Sequence, residues 1–378
     1  MNPRTALMMA GGTGGHIFPA LAVAGQLRSR GWQVVWLGTR NGLEGRLVPP
    51  HGFEIEWLSV AGLRGKGWLG LVAGIPRAVL ALYQALRTML CRRPDVVVGF
   101  GGFVSFPGGL AAALTRRPLL VHEQNSVAGL SNRILALLAR DVVAGFPDPF
   151  RQRGGNPLAR ILPRPARCHW SGNPVRSELS AVAAPGERFA GRSGPLRLLV
   201  VGGSQGARAL NSVVPAALAL LPAAARPLVL HQAGPRLLDE MHDAYSSLGL
   251  QAEVRPFIDD MAQALAQADL VICRAGALTV AELCAVGVAA LLVPFPFAVD
   301  DHQTGNGRFL VEAGAAELLP QSSLDAPLLA ARIAALDRPR LLAMATAARA
   351  LARPHAAAEV ADRVEACADR RNPVGEMR

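Results

Sequence analysis

Short apolar runs rich in β-branched residues alternate with longer stretches rich in alanine and leucine along the whole chain. The runs that read as strands are Ala6–Ala10, Val34–Gly38, Ile55–Val60, Asp95–Phe100, Leu119–Glu123 and Val142–Phe146. After residue 195 the pattern begins again with Arg197–Val201, Leu228–His231, Glu253–Phe257, Leu270–Arg274 and Ala290–Pro294. They are apolar on successive residues rather than on alternate ones, and glycine or proline often bounds them. Strands buried on both faces of a parallel sheet have this pattern. The intervening stretches read as helices, which predicts right-handed βαβ units and an α/β class.

Both halves open alike, with a strand, a glycine-rich turn and a helix. The first opening is Met8 to His16, read as Met-Met-Ala-Gly-Gly-Thr-Gly-Gly-His; the second is Val200 to Gly206, Val-Val-Gly-Gly-Ser-Gln-Gly. Two Rossmann-like, doubly wound domains joined by a hinge follow from this repetition, with a cleft between them. In open α/β sheets, ligands bind beyond the carboxyl ends of the strands. The chain length of 378 residues also suits two domains. Residues 147–172 stand apart, with five prolines, five arginines and Gly154-Gly155, and read as a linker or long loop. The boundary is placed near Gly172–Asn173, giving domains 1–172 and 173–350, with a C-terminal helix near 353–370 expected to join the first.

Charged residues are 18% of the chain and apolar ones 51%, so large cores can be buried and long disordered tails are not expected. The net charge of +11 is unevenly placed: residues 1–172 hold 20 basic and 7 acidic residues, and residues 173–378 hold 19 and 21. The first domain therefore attracts an anionic surface. Nucleic-acid readers interleave basic patches with aromatic residues; this chain is 5% aromatic and shows no such interleaving, so nucleic acid is not expected. Trp68 to Ile75, continuing through Val79, Leu80, Leu82, Tyr83 and Leu86, is instead accompanied by Arg77, Arg87, Arg92 and Arg93. That fits either a helix lying in an anionic membrane interface or an ordinary core-facing helix. The uncharged stretches Thr5–Leu27 and Val96–Thr115 are interrupted by glycine, so neither reads as an export signal or a membrane span.

Lys66 is the sole lysine and sits between glycines, which excludes a Walker phosphate loop and a Schiff-base lysine. The five cysteines form no Cys-x-x-Cys pair and the histidines show no metal-ligand spacing, so free thiols and no metal are expected. Gly11 to Gly15 places four glycines and a threonine directly after a strand, where backbone amides can approach a phosphate or diphosphate; a plain packing turn has the same composition. Position 13 is threonine where the dinucleotide fingerprint needs glycine, which makes a dehydrogenase the least expected reading. His16 follows at the mouth of this turn, placed either as a general base or as a helix-start residue bonding the backbone. Gly99 to Gly102 forms a second glycine corner, and His122-Glu123-Gln124-Asn125 ends the next strand with four polar groups that suit a polar site. In the second half, Arg274 to Glu282 reads as strand, turn and helix start. Thr279-x-x-Glu282 there is either a capping box or the edge of a diphosphate and ribose site. Asp300, Asp301, His302, Gln303 and Asn306 form a polar cluster suited to sugar hydroxyls.

Six motifs occur in order: Gly11–His16, Gly101–Ser105, His122–Asn125, Gly172–Arg176, Gly202–Ala207 and Gly276–Glu282. Together they closely resemble the MurG family, the bacterial cell-wall N-acetylglucosaminyltransferases, over roughly residues 5 to 350. The resemblance implies a GT-B fold, two Rossmann-like domains with parallel sheets facing across a cleft. It also implies an inverting enzyme that moves N-acetylglucosamine from UDP-N-acetylglucosamine to the C4 hydroxyl of lipid I, undecaprenyl-diphosphate MurNAc-pentapeptide, to give lipid II. No cofactor or metal is implied. Carried over by position, His16 is the candidate base, with Glu123 behind it. Thr13, Gly14, Gly15 and Asn125 would contact the donor sugar or the acceptor, and Arg176 and Ser204 the donor diphosphate region. Ile258 would meet uracil through its backbone. Ala277, Leu278, Thr279, Val280, Ala281 and Glu282 would cradle phosphate and ribose, and Gln303 would bind sugar hydroxyls. The implied location is peripheral, on the cytoplasmic face of the inner membrane, with its anionic surface and other cell-wall synthesis proteins as candidate partners.

The chain departs from the family at His302-Gln303, where paired glutamines are common, at Phe103, where tyrosine is common, and in a longer 147–171 loop. Two other readings stand beside the family's: a UDP-sugar transferase of the same fold with a different lipid acceptor, and a non-catalytic UDP-sugar or lipid-diphosphate binding subunit.

Overall fold

The structure is a computed structural model; it describes residues 3–59, 67–151, 157–202 and 207–369, and among these not the side chains of residues 67–75, 157 and 160. Two compact units divide the chain: residues 1–176 with 354–378, and residues 177–353.

The first unit runs β1 (Thr5–Ala10), α1 (Gly14–Ser29), β2 (Gln33–Gly38), α2 (Glu44–Leu47), β3 (Glu54–Trp57), α3 (Gly67–Arg92), β4 (Val96–Gly101), α4 (Ser105–Leu114), β5 (Leu119–Glu123), α5 (Leu130–Leu138), β6 (Asp141–Ala144), α6 (Pro157–Ile161) and β7 (His169–Trp170). The second runs α7 (Ser177–Ser180), α8 (Pro185–Phe189), β8 (Arg197–Val201), α9 (Arg208–Leu220), β9 (Leu228–Gln232), α10 (Leu238–Ser247), β10 (Glu253–Arg255), α11 (Met261–Gln267), β11 (Leu270–Cys273), α12 (Ala277–Val286), β12 (Ala289–Leu292), α13 (His302–Glu312), β13 (Ala316–Leu318), α14 (Ala326–Ala334) and α15 (Arg338–Ala350). The last helix, α16 (Ala356–Asp369), returns to the first unit and packs on α1.

All strand pairs are parallel, in the orders β3-β2-β1-β4-β5-β6-β7 and β10-β9-β8-β11-β12-β13. Each sheet is thus doubly wound, and its order reverses between the first strand and its fourth-strand neighbour. Both faces of the first sheet are covered, which explains the continuous apolar runs. Ile17, Ala24 and Leu27 of α1 join Val360 and Val364 of α16 on one face. Ala85 and Met89 of α3, Ala111 and Ala112 of α4, and Leu135 of α5 cover the other. In the second unit, α9, α14 and α15 supply Leu210, Val214, Leu329, Ile333, Leu341 and Ala345 to the core.

The strands expected from the pattern are present within a few residues of their predicted ends; Val60, expected to close the third, lies outside the described residues. Residues 147–172 are more than a linker. They contain α6 and the edge strand β7, which pairs Val143 with His169 and Ala144 with Trp170. A two-residue strand among prolines carries no readable periodicity. Among the described residues, no helix is long and apolar enough to cross a membrane.

Candidate active site

The two glycine corners of the first unit follow β1 and β4, the neighbouring strands at which the sheet order reverses. The ladder between them shifts register at Met9/Ala10, so the two corners approach one another. A Cβ on Gly102 would lie 2.2 Å from the Gly11 carbonyl oxygen, and one on Gly101 would lie 3.0 Å from Cδ2 and Nε2 of His16. With φ of +101° and +84°, Gly101 and Gly102 also hold a backbone conformation that other residues rarely adopt. Buried Ser105 pins the second corner: its Oγ accepts from Gly101 N–H (3.0 Å) and reaches the carbonyls of Gly101 (2.7 Å) and Met9 (3.1 Å).

Thr13 is the N-cap of α1, with extended backbone and no side-chain cap, so Gly14, Gly15 and His16 form the helix's first turn. His16 Nδ1 lies 3.1 Å from the Gly11 carbonyl oxygen and 3.3 Å from Thr13 Oγ1. A carbonyl only accepts, so Nδ1 carries the hydrogen of the neutral ring and the lone pair is on Nε2. The bond to backbone, one of the two readings of the sequence, uses Nδ1 and does not exclude the other.

At the end of β5, His122, Glu123 and Gln124 are buried, and Asn125 is half-buried. His122 stacks on Phe100 and faces Gln124 Nε2 at 3.0 Å; burial pushes its pKa down to about 4. Asn173 Nδ2 donates to the Gln124 carbonyl (2.9 Å). Glu123 Oε1 accepts from Asn125 N–H (2.9 Å) and Asn125 Nδ2 (3.3 Å), and Oε2 from Gly129 N–H (3.2 Å) and Asn132 Nδ2 (2.9 Å). Four donors to one carboxylate make Glu123 the anchor of the 125–132 loop, a poor arrangement for a base that must offer a lone pair to substrate. Of the four polar residues expected to line a site, Glu123 ties the main chain of its own loop and Gln124 Nε2 also donates to the His122 carbonyl (3.2 Å). Arg176 is exposed, its guanidinium 6.0 Å from the centre of the Phe18 ring on α1.

In the second unit, α12 starts at the carboxyl end of β11, beside β8. Its N-cap is Gly276, with no side-chain cap bond, and Thr279 is already the third helical residue. The capping-box register is therefore not used, and the glycine at the N-cap offers no side chain to the amides of Ala277, Leu278 and Thr279. Thr279 and Glu282 line a small cavity with Val201, Met261 and Cys273; Val280 and Ala281 continue the same helix. Asn306 Nδ2 donates to the Ala275 carbonyl (3.1 Å) and steadies the turn before α12. Buried Ile258 gives its N–H to Gln232 Oε1 (3.1 Å), so the remaining backbone group it can present is the carbonyl. Gln303 Oε1 accepts from Phe295 N–H (2.9 Å). Ser204, with Gly203 to Gly206, lies outside the described residues.

Residue-type reasoning passed over Glu44 and Gln232. Both are buried and bond main-chain groups far away in sequence, 32 and 26 positions respectively. No local spacing marks either of them.

Residues 6–144 match the glycosyltransferase family 28 N-terminal domain and residues 197–364 its C-terminal domain. A protein of Aromatoleum aromaticum is 56% identical over 358 residues, 95% of this chain and 96% of its own. One of Bordetella pertussis is 55% identical over 370 residues, 98% and 99% of the two chains. Both are named UDP-N-acetylglucosamine–N-acetylmuramyl-(pentapeptide) pyrophosphoryl-undecaprenol N-acetylglucosamine transferase. The crystal structure of Acinetobacter baumannii MurG superimposes with a TM-score of 0.81 at 40% identity, covering 96% of this chain and all of that one. The calicheamicin glycosyltransferase CalG4, at 20% identity and a TM-score of 0.66 over 99% of this chain and all of that one, shares the fold. With both domain models matched in order and near-full-length relatives above half identity, the chain belongs to glycosyltransferase family 28.

Proposed function

We propose that the protein transfers N-acetylglucosamine from UDP-N-acetylglucosamine to the C4 hydroxyl of lipid I, giving lipid II. The near-full-length relatives carry this activity in their names. In this reading the first unit takes the lipid acceptor and the second the nucleotide sugar. The uncapped start of α12 receives diphosphate through its amides, and Glu282 accepts from the ribose hydroxyls. The Ile258 carbonyl accepts from uracil N3–H, and Gln303 Nε2 donates to the sugar.

The observation that carries the chemistry is the His16 Nδ1 bond to the Gly11 carbonyl, which puts the basic lone pair on Nε2. Nε2 takes the proton of the acceptor C4 hydroxyl as its oxygen bonds to C1 of the donor sugar. The C1–O bond to diphosphate breaks from the opposite face, so an α linkage becomes β, and UDP leaves with the bonding pair. The imidazolium keeps its Nδ1–H on Gly11, so the ring need not turn during the transfer.

The location proposed is peripheral, on the inner membrane's cytoplasmic face. Its support is α3: Ala81, Ala85 and Met89 face the core, yet Val79, Leu80 and Tyr83 are exposed between exposed Arg77 and Arg87. An ordinary core-facing helix accounts for the first set and not the second. Binding to anionic vesicles should weaken with added salt and with Arg77→Ala plus Arg87→Ala; salt-independent binding, or none, defeats this placement.

The deciding experiment supplies UDP-N-acetylglucosamine with a lipid I analogue and looks for the disaccharide. His16→Ala should lower turnover by about 10²-fold or more with UDP affinity little changed. Full turnover in that variant removes His16 from the mechanism.

A further inference from the structure

We infer that Glu44 is a positioning residue for the transfer, holding the Gly11–Gly12 corner that in turn holds His16; this rests on the reading of His16 as the base. Glu44 opens α2, and the residue is 1% exposed beneath the glycine corner. Oε2 accepts from Gly12 N–H at 3.1 Å. Oε1 accepts from Thr39 N–H at 2.9 Å and from Thr39 Oγ1 at 2.5 Å. One carboxylate therefore ties the end of β2 to the corner after β1.

The surroundings are built to admit this group. A Cβ on Gly11 would lie 3.0 Å from Oε1, one on Gly38 would lie 2.9 Å from Glu44 Cγ, and one on Gly42 would lie 2.3 Å from both carboxylate oxygens. Three glycines from two segments thus make room for one side chain. Gly11 also provides the carbonyl that accepts from His16 Nδ1. The connection is short: Thr39 to Glu44, Glu44 to Gly12, Gly11 to His16.

Three donors converge on the two oxygens, and only an acceptor at both positions satisfies them all. A glutamine would turn N–H groups towards either Gly12 N–H or the Thr39 pair. The corner would then shift, carrying the Gly11 carbonyl and Nε2 with it. A displacement on the order of 1 Å at the reacting group can cost about 10²-fold in rate.

The test is a double-mutant cycle on the full-length protein, with UDP-N-acetylglucosamine and a lipid I analogue, using Glu44→Gln, His16→Ala and the two combined. Expected is a kcat for Glu44→Gln reduced by about 10- to 10²-fold, with the donor KM within about twofold of the parent. The combined variant should be within about threefold of His16→Ala alone, because Glu44 acts through His16. Undiminished kcat in Glu44→Gln, or losses that multiply in the combined variant, overturns the inference and leaves the His16 reading standing. Full turnover in His16→Ala overturns both. Gly42→Ala keeps the carboxylate and drives it off its donors, so it decides the matter should Glu44→Gln fail to fold. It should reproduce the kcat loss at parental donor KM, and parental kcat there overturns the inference.

Discussion

The amino ends of the two sheets are built alike and the carboxyl ends are not. At the amino end of the first, Asp95 Oδ2 accepts from Thr5 N–H (2.9 Å) while its own N–H donates to the Thr5 carbonyl (2.8 Å). In the second, Asp269 does the same with Arg197, at 2.9 and 2.8 Å, and also pairs with Arg192 and with Arg338 (3.4 Å). At the carboxyl ends, the first unit ties its loops with buried carboxylates, Glu44 and Glu123. Among the described loop ties of the second none is a buried carboxylate: Gln232 holds Ile258, Asn306 Ala275, Gln303 Phe295, Asn211 Nδ2 the Ala233 carbonyl (3.1 Å), and the Arg274 guanidinium the Val293 (3.0 Å) and Pro294 (3.2 Å) carbonyls. A buried carboxylate repels a diphosphate over several ångströms in a low-dielectric site. On the proposed function, the start of α12, with no buried carboxylate beside it, keeps its positive end for the anionic nucleotide. On the same proposal, the first unit, which deprotonates the acceptor alcohol, tolerates charged anchors.

The largest effect should come from the shared end. Asp269→Ala strands Arg192 and Arg338 against a buried edge and should cost roughly 3–5 kcal/mol of stability. Asp95→Ala, which loses a single main-chain bond on a half-buried side chain, should cost about 1 kcal/mol. Calorimetric unfolding of both variants separates them; equal losses would erase the distinction between a simple and a reinforced amino edge.

Next is acid. Burial pushes His122 in the first unit and His231 in the second down to about 4, from an ordinary 6.5. A depressed histidine contributes stability that is complete above pH 6.5 and lost as pH falls towards 4, up to about 3 kcal/mol for each group. Thermal unfolding followed from pH 7 to pH 4.5 should show the loss, and His231→Gln should flatten the part belonging to the second unit. An unchanged slope in that variant would assign the acid sensitivity elsewhere.

The smallest effect tests the charge argument directly. Gln232→Glu keeps an acceptor for Ile258 N–H but places a carboxylate among these ties. UDP affinity should fall by about tenfold, roughly 1.4 kcal/mol, and less at high salt. Unchanged affinity would show that the lack of a buried carboxylate among these ties has no bearing on the nucleotide.

Much of the architecture was legible because strands covered on both faces must be apolar at consecutive positions. Val96–Val98, Leu119–Val121 and Leu270–Ile272 announce themselves in this way. The glycine corners were legible because a tight turn after a strand admits few other residues. What escaped was set by partners distant in sequence. Glu44 looks like any surface glutamate until Gly12 and Thr39 are placed around it. Glu123 reads as a candidate base until Gly129 and Asn132 fill its lone pairs. Thr279-x-x-Glu282 matches a capping box, yet α12 starts three residues earlier at Gly276, since extended backbone there suffices to begin the helix.

The sequence by itself determined the class of fold, the two-fold repetition of strand, glycine corner and helix, and the family, because these depend on local pattern and on ordered motifs. The tertiary structure alone decided which ring nitrogen of His16 bears the lone pair, which carboxylates are anchors, and which backbone groups of the second unit are taken up by side chains. Hydrogen bonds saturate: once a donor or acceptor has its partner it is withdrawn from chemistry, and that partner is chosen by the fold.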